Sequence, residues 1–416
     1  MHVVILSDGE TRGGAAIGTS RLALGLIKNG VRVTRLVHHP DRLTHPWVTV
    51  PLRGSLREQI LWRIEQRISK RISIHLALYT QRLWFHHILQ RILEEHKPDV
   101  ISVNNLHGAG WWPHIVTVCT RYAPTVWTLR DMWSFTGRCA YNYGCRKFLT
   151  GCDDSCPTSD EYPVLEPGLI DGAWKLRYRI LSEHPELVAV CPSRWLAQEA
   201  FSGLWKSHRV EVIPNGLPLD VYRPLDKKFA RAALDINTPG PVLLVSAHHF
   251  RERRKGGSIL GEALQGVSHR PFTVITMGQG ELPVNSPEIH VHHLGFIDNE
   301  RMKTIVYNAA DLVVHPAPMD NLPHVVMEAI ACGTPVVGFP IGGVVDMVRP
   351  NKTGWLATEV SSEALAKAMT IAIQDLLSGI DFRHTCREVA ETEYGDKIQA
   401  YRYVELFRSM SISRDI

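Results

Sequence analysis

Apolar residues in this chain recur as short continuous runs, each followed by a glycine-rich or polar turn and then by a segment of helical period. The run Val3 to Ser7 leads through Asp8-Gly9-Glu10-Thr11-Arg12-Gly13-Gly14-Ala15-Ala16 into a helix from Ser20 to Lys28, which stops at Asn29-Gly30. Val31 to Val37, Pro98 to Val103, Thr125 to Leu129 and Leu187 to Cys191 read as further strands of the same sheet, with Asn215-Gly216-Leu217-Pro218 closing that domain. A second series follows at Val242 to Ala247, Phe272 to Met277, Ile289 to Leu294, Leu312 to His315 and Val336 to Phe339. Continuous rather than alternating apolar runs are those of strands covered on both faces, as in a parallel sheet wrapped by helices. The expected fold class is therefore α/β, with two doubly wound Rossmann-like domains facing across a cleft. Their expected bounds are residues 1–220 and 221–395, with a helix over 396–416 crossing back to the first domain.

Composition narrows the function class. A chain of 416 residues with 44% hydrophobic content can bury two cores. Its formal charge of +4 is mild, because Lys and Arg are nearly balanced by acids. That balance points to phosphate-bearing substrates or a membrane surface rather than a dedicated nucleic-acid binder. The N-terminus runs straight into the first strand without a charged leader, and no apolar run is long enough to span a bilayer. A cytoplasmic location is expected, at most peripheral to the inner face of the cytoplasmic membrane, with the eight cysteines mostly reduced.

The most informative segment follows the strand at Leu312 to His315. It reads Pro316-Ala317-Pro318-Met319-Asp320-Asn321-Leu322-Pro323 and continues into a helix that carries Glu328. Two carboxylates at this spacing span a loop-to-helix junction at a strand's carboxyl end, where free helix N–H groups suit an anion or sugar hydroxyls. This stretch resembles the acid-x7-acid signature of the retaining glycosyltransferases of family 4, whose fold is called GT-B. The family usually has two glutamates; here Asp320 takes the first place. Other segments resemble the same family in the same order. They are Gly13-Gly14-Ala15-Ala16, Pro192-Ser193-Arg194-Trp195-Leu196, Ile213-Pro214-Asn215-Gly216 with Asp220, Arg254-Lys255-Gly256, Met277-Gly278-Gln279-Gly280 and Ile341-Gly342-Gly343. A dinucleotide dehydrogenase would need Gly-x-Gly-x-x-Gly after the first strand, which Gly9, Gly13, Gly14 and Gly18 do not form.

The resemblance implies a nucleotide-sugar donor and a saccharide or lipid-linked acceptor in polysaccharide biosynthesis, with retention of anomeric configuration. It implies that Arg254 and Lys255 face the donor diphosphate, that Glu328 holds the ribose, and that Asp320 with Asn321, Leu322 and Pro323 holds the sugar. Gly13 and Gly14 would approach a diphosphate or the acceptor, and Gly278 would lie beside the base pocket. No Asp-x-Asp pair stands at a strand end, so no catalytic metal is expected. Rival readings are a nucleotide-sugar epimerase of the same fold and a non-catalytic sugar-nucleotide-binding protein.

Two departures from the family bear on the site. Where Thr-x-His-Asp is common, this chain has Thr128-Leu129-Arg130-Asp131, and a permanently charged Arg130 cannot shuttle a proton. Arg130 could clamp a phosphate or lie on the surface, and His107, at another strand end, is a candidate replacement for the histidine. His249 stands where relatives carry an arginine, leaving the diphosphate site one fixed charge short and open to pH dependence. Cys139, Cys145, Cys152 and Cys156 form a compact cluster that suits a structural zinc, with unliganded or disulfide-linked cysteines as the alternative. The stretch from Arg53 to Arg91 is basic, with Ile60, Ile64, Ile68 and Ile72 at helical spacing. It fits either an amphipathic helix on anionic lipid or a helix packed on its own domain.

Overall fold

A computed structural model of the chain describes residues 1–41, 43–52, 60, 63–64, 74–238, 240–282, 284 and 286–412. The chain divides into two compact units, the first comprising Met1–Pro192, Leu196–Ile213 and Gln399–Ile416, the second Ser193–Trp195 and Pro214–Ile398.

The first unit holds seven parallel strands: β1 (His2–Gly9), β2 (Arg32–His39), β3 (Val48–Pro51), β4 (Val100–Val103), β5 (Thr125–Thr128), β6 (Val188–Cys191) and β7 (Arg209–Val212). Their order is β3-β2-β1-β4-β5-β6-β7, so the winding reverses between β1 and β4. The residues of β4, β5 and β6 are all buried, Ser102, Thr125 and Thr128 included, as in a sheet covered on both faces. The helix Gly14–Lys28 ends where expected. Asn29 closes it, and Gly30 takes the positive φ of 76° that lets the chain turn back into β2. From the C-terminal helix Asp396–Ile412, Tyr403 and Phe407 pack with Val3, Ile5, Val126 and Val190 in one core.

The second unit has β8 (Val242–His249), β9 (Phe272–Gln279), β10 (Ile289–Gly295), β11 (Leu312–His315), β12 (Val336–Gly338) and β13 (Gly354–Leu356), all parallel. The order is β10-β9-β8-β11-β12-β13, and the reversal falls between β8 and β11. Successive residues of a strand serve opposite faces. Val242, Leu244, Val313 and Val336 join one core, while Leu243, Val245, Val314 and Val337 join the other. Helix starts are capped by short polar side chains, Asn299 accepting from Met302 N–H at 3.1 Å and Ser361 from Ala364 N–H at 3.1 Å.

Two expectations are corrected here. Three edge strands, β3, β7 and β13, were not foreseen from the apolar pattern, because they are only 4, 4 and 3 residues long and offer no continuous apolar run. The Asn215 to Pro218 segment does not close the first unit. Leu217 is fully buried in the second core and forms a bridge with Gly395, so the division falls after Ile213. The basic stretch from Arg53 lies largely outside the described residues. Within them, Ile60 and Ile64 are exposed, while the helix Ile74–His96 buries Phe85, Ile88, Leu89 and Ile92. No helix among the described residues is long and apolar enough to cross a membrane.

Candidate functional site

In a doubly wound sheet the loops on either side of the reversal diverge and leave a crevice at the strands' carboxyl ends. In the second unit these are the loop after β8, which carries Arg254 and Lys255 in the short turn Arg253–Lys255, and the loop after β11, which carries Asp320. They meet. Lys255 Nζ lies 3.2 Å from Asp320 Oδ2, Arg254 NH1 lies 3.6 Å from the same oxygen, and His315 Nε2 lies 3.9 Å from it. The other carboxylate oxygen accepts the Asn321 N–H at 2.9 Å.

Glycines hold this loop in place by letting backbones touch. Gly256 has φ of 69°, and a Cβ there would lie 1.9 Å from the Pro316 carbonyl oxygen. At Gly343 a Cβ would lie 1.7 Å from the Asn321 carbonyl oxygen, so the late glycine pair serves to seat Asp320 and Asn321. Asn321 Oδ1 accepts the Ser193 hydroxyl at 2.6 Å, and Leu322 packs into the core below. Pro323 precedes the helix His324–Ala331 without a side-chain cap.

The electrostatics follow from burial and two cations. Burial alone would raise the Asp320 carboxyl, but Lys255 and then Arg254 outweigh it and hold the acid well below the usual carboxylate range. His315 moves the other way. Burial, with Lys255 and Arg254 nearby, lowers its imidazole to about 4 in spite of Asp320, so the ring is neutral at pH 7. Two partly exposed cations, Arg254 and Lys255, thus converge on one oxygen of a buried carboxylate.

The His315 shift has a stability consequence. A base whose folded pKa is depressed leaves the unfolded chain to take up the proton first, so its effect is absent above the unfolded value of 6.5 and grows as pH falls toward 4. Over that window stability should fall by roughly 1.4 kcal/mol per pH unit from this group, about 3 kcal/mol at most. Denaturant unfolding of the parent and of His315→Gln between pH 7 and 4 checks it. Equal pH slopes in the two proteins would remove His315 from the account.

The remaining expected residues are placed as follows. Glu328 is 5% exposed, and its Oε2 accepts the Tyr307 hydroxyl at 2.9 Å. Burial and the Glu328 charge push that phenol well above its ordinary pKa. His249 Nδ1 accepts the Arg251 N–H at 3.1 Å, so one ring nitrogen is used inside its own turn. Gly278, at the end of β9, is pressed against the Ala247 carbonyl. Tyr307 and His315 were not foreseen as members of this site. An imidazole closing the otherwise apolar β11 is the signal that could have found the second.

The first unit has its own crevice residues at the carboxyl ends of β1, β4 and β5. Asn105 donates to Asp8 Oδ2 at 2.7 Å, and Gly13 and Gly14 begin the next helix with open space around both. Arg130 is not a surface side chain. It is partly buried and donates to Thr19 Oγ1 at 3.1 Å and Asn104 Oδ1 at 2.9 Å. Burial lowers its guanidinium pKa, with Tyr403 and Asp8 acting against that. His107, Asp131 and Arg130 line one open depression. His107 Nε2 stands 2.8 Å from Asp131 Oδ2, so an imidazole does face this aspartate, supplied from the loop after β4.

Cys139, Cys145, Cys152 and Cys156 share one neighbourhood in which each influences the titration of Cys152. Burial raises the Cys139 and Cys152 thiols to about 11. Arg138 NH1 lies 3.9 Å from Cys139 Sγ and 3.8 Å from Cys156 Sγ. Among the described residues, the group whose possible ligand atoms lie within 4.8 Å of one another is instead Glu10, Asp41 and His45. Those atoms are engaged in binding the glycine-rich turn to its neighbours, Glu10 accepting from Trp47 Nε1 and Asp41 from Thr11. Cys119, Cys191, Cys332 and Cys386 are fully buried packing residues.

The profile of Glycosyltransferase Family 4 matches residues 12–221, and that of Glycosyl transferases group 1 matches residues 226–392. A chain named as the colanic acid biosynthesis glycosyl transferase WcaC of Escherichia coli is 26% identical over 345 residues, 78% of this chain and 80% of that one. A D-inositol 3-phosphate glycosyltransferase of Corynebacterium glutamicum is 25% identical over 266 residues, 60% of this chain and 61% of that one. Sucrose-phosphate synthase of Thermosynechococcus elongatus superimposes with a TM-score of 0.71 at 19% identity, covering 99% of both chains. HepE of Anabaena, solved in complex with UDP-glucose, gives 0.67 at 16% identity, covering 98% of this chain and 100% of that one. At such identities these two structures speak to the fold.

Proposed function

The chain belongs to glycosyltransferase family 4, with the GT-B fold, and from that premise we propose that it moves a sugar from a nucleotide-sugar donor to a saccharide or lipid-linked saccharide in polysaccharide biosynthesis. The likeness to WcaC, named for colanic acid biosynthesis, supports the pathway class, and the UDP-glucose held by HepE supports a nucleotide-sugar donor. The observation that carries the proposal is the convergence of Arg254 and Lys255 on Asp320, at the reversal of the second sheet. Sugar transfer leaves a nucleoside diphosphate with new negative charge, and fixed cations at that place stabilise it as it forms.

In this reading the second unit takes the donor. Arg254 and Lys255 meet the diphosphate, and Asn321, Leu322 and Pro323 frame the sugar. Glu328, fixed by the Tyr307 hydroxyl, holds the ribose. The first unit takes the acceptor. The product retains the donor's anomeric configuration and no catalytic metal is required, since side-chain cations supply the charge. Zinc would enter only structurally. Four thiolates suit it, and Cys139, Cys145, Cys152 and Cys156 would have to draw closer than they stand to share one ion. The basic stretch from Arg53 to Arg91 would serve the lipid-linked acceptor by resting on anionic membrane.

A panel of nucleoside diphosphates in a thermal-shift assay tests the donor site. A ligand at a hundred times its Kd adds about 2.7 kcal/mol, which at this size raises Tm by several degrees. One diphosphate should do so. A panel that leaves Tm unchanged rejects the site, and product analysis with the matching nucleotide sugar separates transfer from epimerisation and from binding alone.

A further inference from the structure

Three polar side chains from separate loops of the first unit form one chain of hydrogen bonds. Asp131 Oδ1 accepts the Trp133 N–H at 2.9 Å, and Asp131 Oδ2 lies 2.8 Å from His107 Nε2. His107 Nδ1 lies 3.0 Å from the Tyr162 hydroxyl. Proton positions follow from donor and acceptor chemistry. An ionised carboxylate only accepts, so Nε2 carries the hydrogen. In that tautomer Nδ1 is bare, and the Tyr162 O–H fills it. The hydroxyl therefore points inward, and its oxygen keeps a lone pair for a donor from outside. Tyr162 is 64% exposed, and its phenol is raised above its ordinary pKa by burial of its inner part and by Asp8 and Asp131.

The loop that brings Tyr162 to this place is built for it. Arg138, 2% exposed, donates from Nε to the Pro163 carbonyl at 2.7 Å and from its terminal nitrogens to the Thr158 and Glu161 carbonyls. The same guanidinium faces the Cys139 and Cys156 sulfurs. The cysteine-rich excursion thus ends by presenting a single hydroxyl beside the open depression lined by His107, Asp131 and Arg130.

We propose that Tyr162 is an acceptor-recognition residue: its oxygen accepts a hydrogen bond from a saccharide hydroxyl, oriented by His107 and Asp131. This rests on the reading of the chain as a transferase with its acceptor on the first unit. Sugar hydroxyls donate readily, and a phenol with its own hydrogen committed inward selects for such a donor.

The test uses the full chain, uniformly ¹⁵N-labelled, with p-nitrophenyl glycosides as probes. The His107 signals, identified by their loss in His107→Gln, should show the Nε2-protonated tautomer. A parent with the proton on Nδ1 overturns the stated polarity. Asp131→Asn should switch the tautomer. The substituted amide must keep its oxygen toward the Trp133 N–H, which turns its NH₂ toward Nε2 and moves the ring proton to Nδ1. Titration with the glycosides should shift the His107 Nδ1 signal saturably in the parent and leave it unmoved in Tyr162→Phe. No saturable shift in the parent, or the same shift in both proteins, overturns the proposal. With UDP-glucose as donor, Tyr162→Phe should raise the glycoside KM about fivefold to tenfold, the worth of one neutral hydrogen bond, with donor KM unchanged. A parent that consumes no UDP-glucose with any glycoside counts against that donor, while the nitrogen shifts still decide the role of Tyr162.

Discussion

Lys255→Ala should lower kcat/KM for the nucleotide sugar by about a hundredfold to a thousandfold, the range found when one fixed donor to a developing oxyanion is removed, about 2.7–4 kcal/mol. Lys255 is placed for such an effect because its ammonium is fixed 3.2 Å from Asp320 at the end of a buried strand, with Gly256 letting the turn press against the Pro316 carbonyl. The charge that grows on the leaving diphosphate is larger in the transition state than in the bound donor. Most of the loss should therefore appear in kcat, with a smaller rise in the Kd of the diphosphate alone. Arg254 stands on the same oxygen at 3.6 Å and retains one cation in the variant, which keeps the effect below that of removing both. Steady-state kinetics with calorimetric titration of the diphosphate separates the two components. Turnover within threefold of the parent would place the diphosphate elsewhere.

The parts of the fold that sequence could show are those where a single local signal is enough. Central strands such as β8 and β11 are continuous apolar runs because helices cover both faces, and Asn29-Gly30 ends a helix by backbone geometry alone. The edge strands β3 and β7 carry no such run, since half of each faces solvent. The division between units escaped for a different reason: whether Leu217 belongs to one core or the other is decided by Tyr394, whose carbonyl accepts the Leu217 N–H at 2.8 Å from far along the chain. The site divides in the same way. Asp320 and Lys255 lie in motifs readable over a few residues. Tyr307 reaches Glu328, and Tyr162 reaches His107, only because the sheet places their loops and helices side by side. His107 was foreseen as a stand-in for the histidine missing beside Asp131. What spacing could not tell is that Asp131 would be its partner at 2.8 Å and that Arg130 would turn inward to Thr19 and Asn104.

Asp320→Asn separates two roles that the resemblance to family 4 leaves merged, direct contact with the donor sugar and control of the cations. The carboxylate is 7% exposed and shared by Lys255, Arg254 and the Asn321 N–H, so its first effect is to hold two mobile cations in one geometry. Because its folded pKa lies below the unfolded value, it contributes stability that is present above the unfolded pKa of 3.8 and is lost as pH falls through the folded value. Breaking a fully buried pair costs about 3–5 kcal/mol, but Arg254 and Lys255 are 32% and 21% exposed and can hydrate. A loss of about 1–2 kcal/mol at pH 7, shrinking only as pH falls below 3.8 toward the folded value, is therefore expected. On function the variant should part from Lys255→Ala. Removing the carboxylate takes one negative charge from beside both cations, so nucleoside diphosphate should bind as tightly as to the parent or more tightly. Turnover should nevertheless fall, by a factor on the order of a hundred, as the cations lose their fixed aim at the leaving group. Calorimetry with the diphosphate and kcat with the nucleotide sugar, measured on the same protein, read the two quantities directly. A parallel loss of affinity and turnover would mean that Asp320 acts as a ligand of the nucleotide itself, and the control of Lys255 and Arg254 would then have to come from another group.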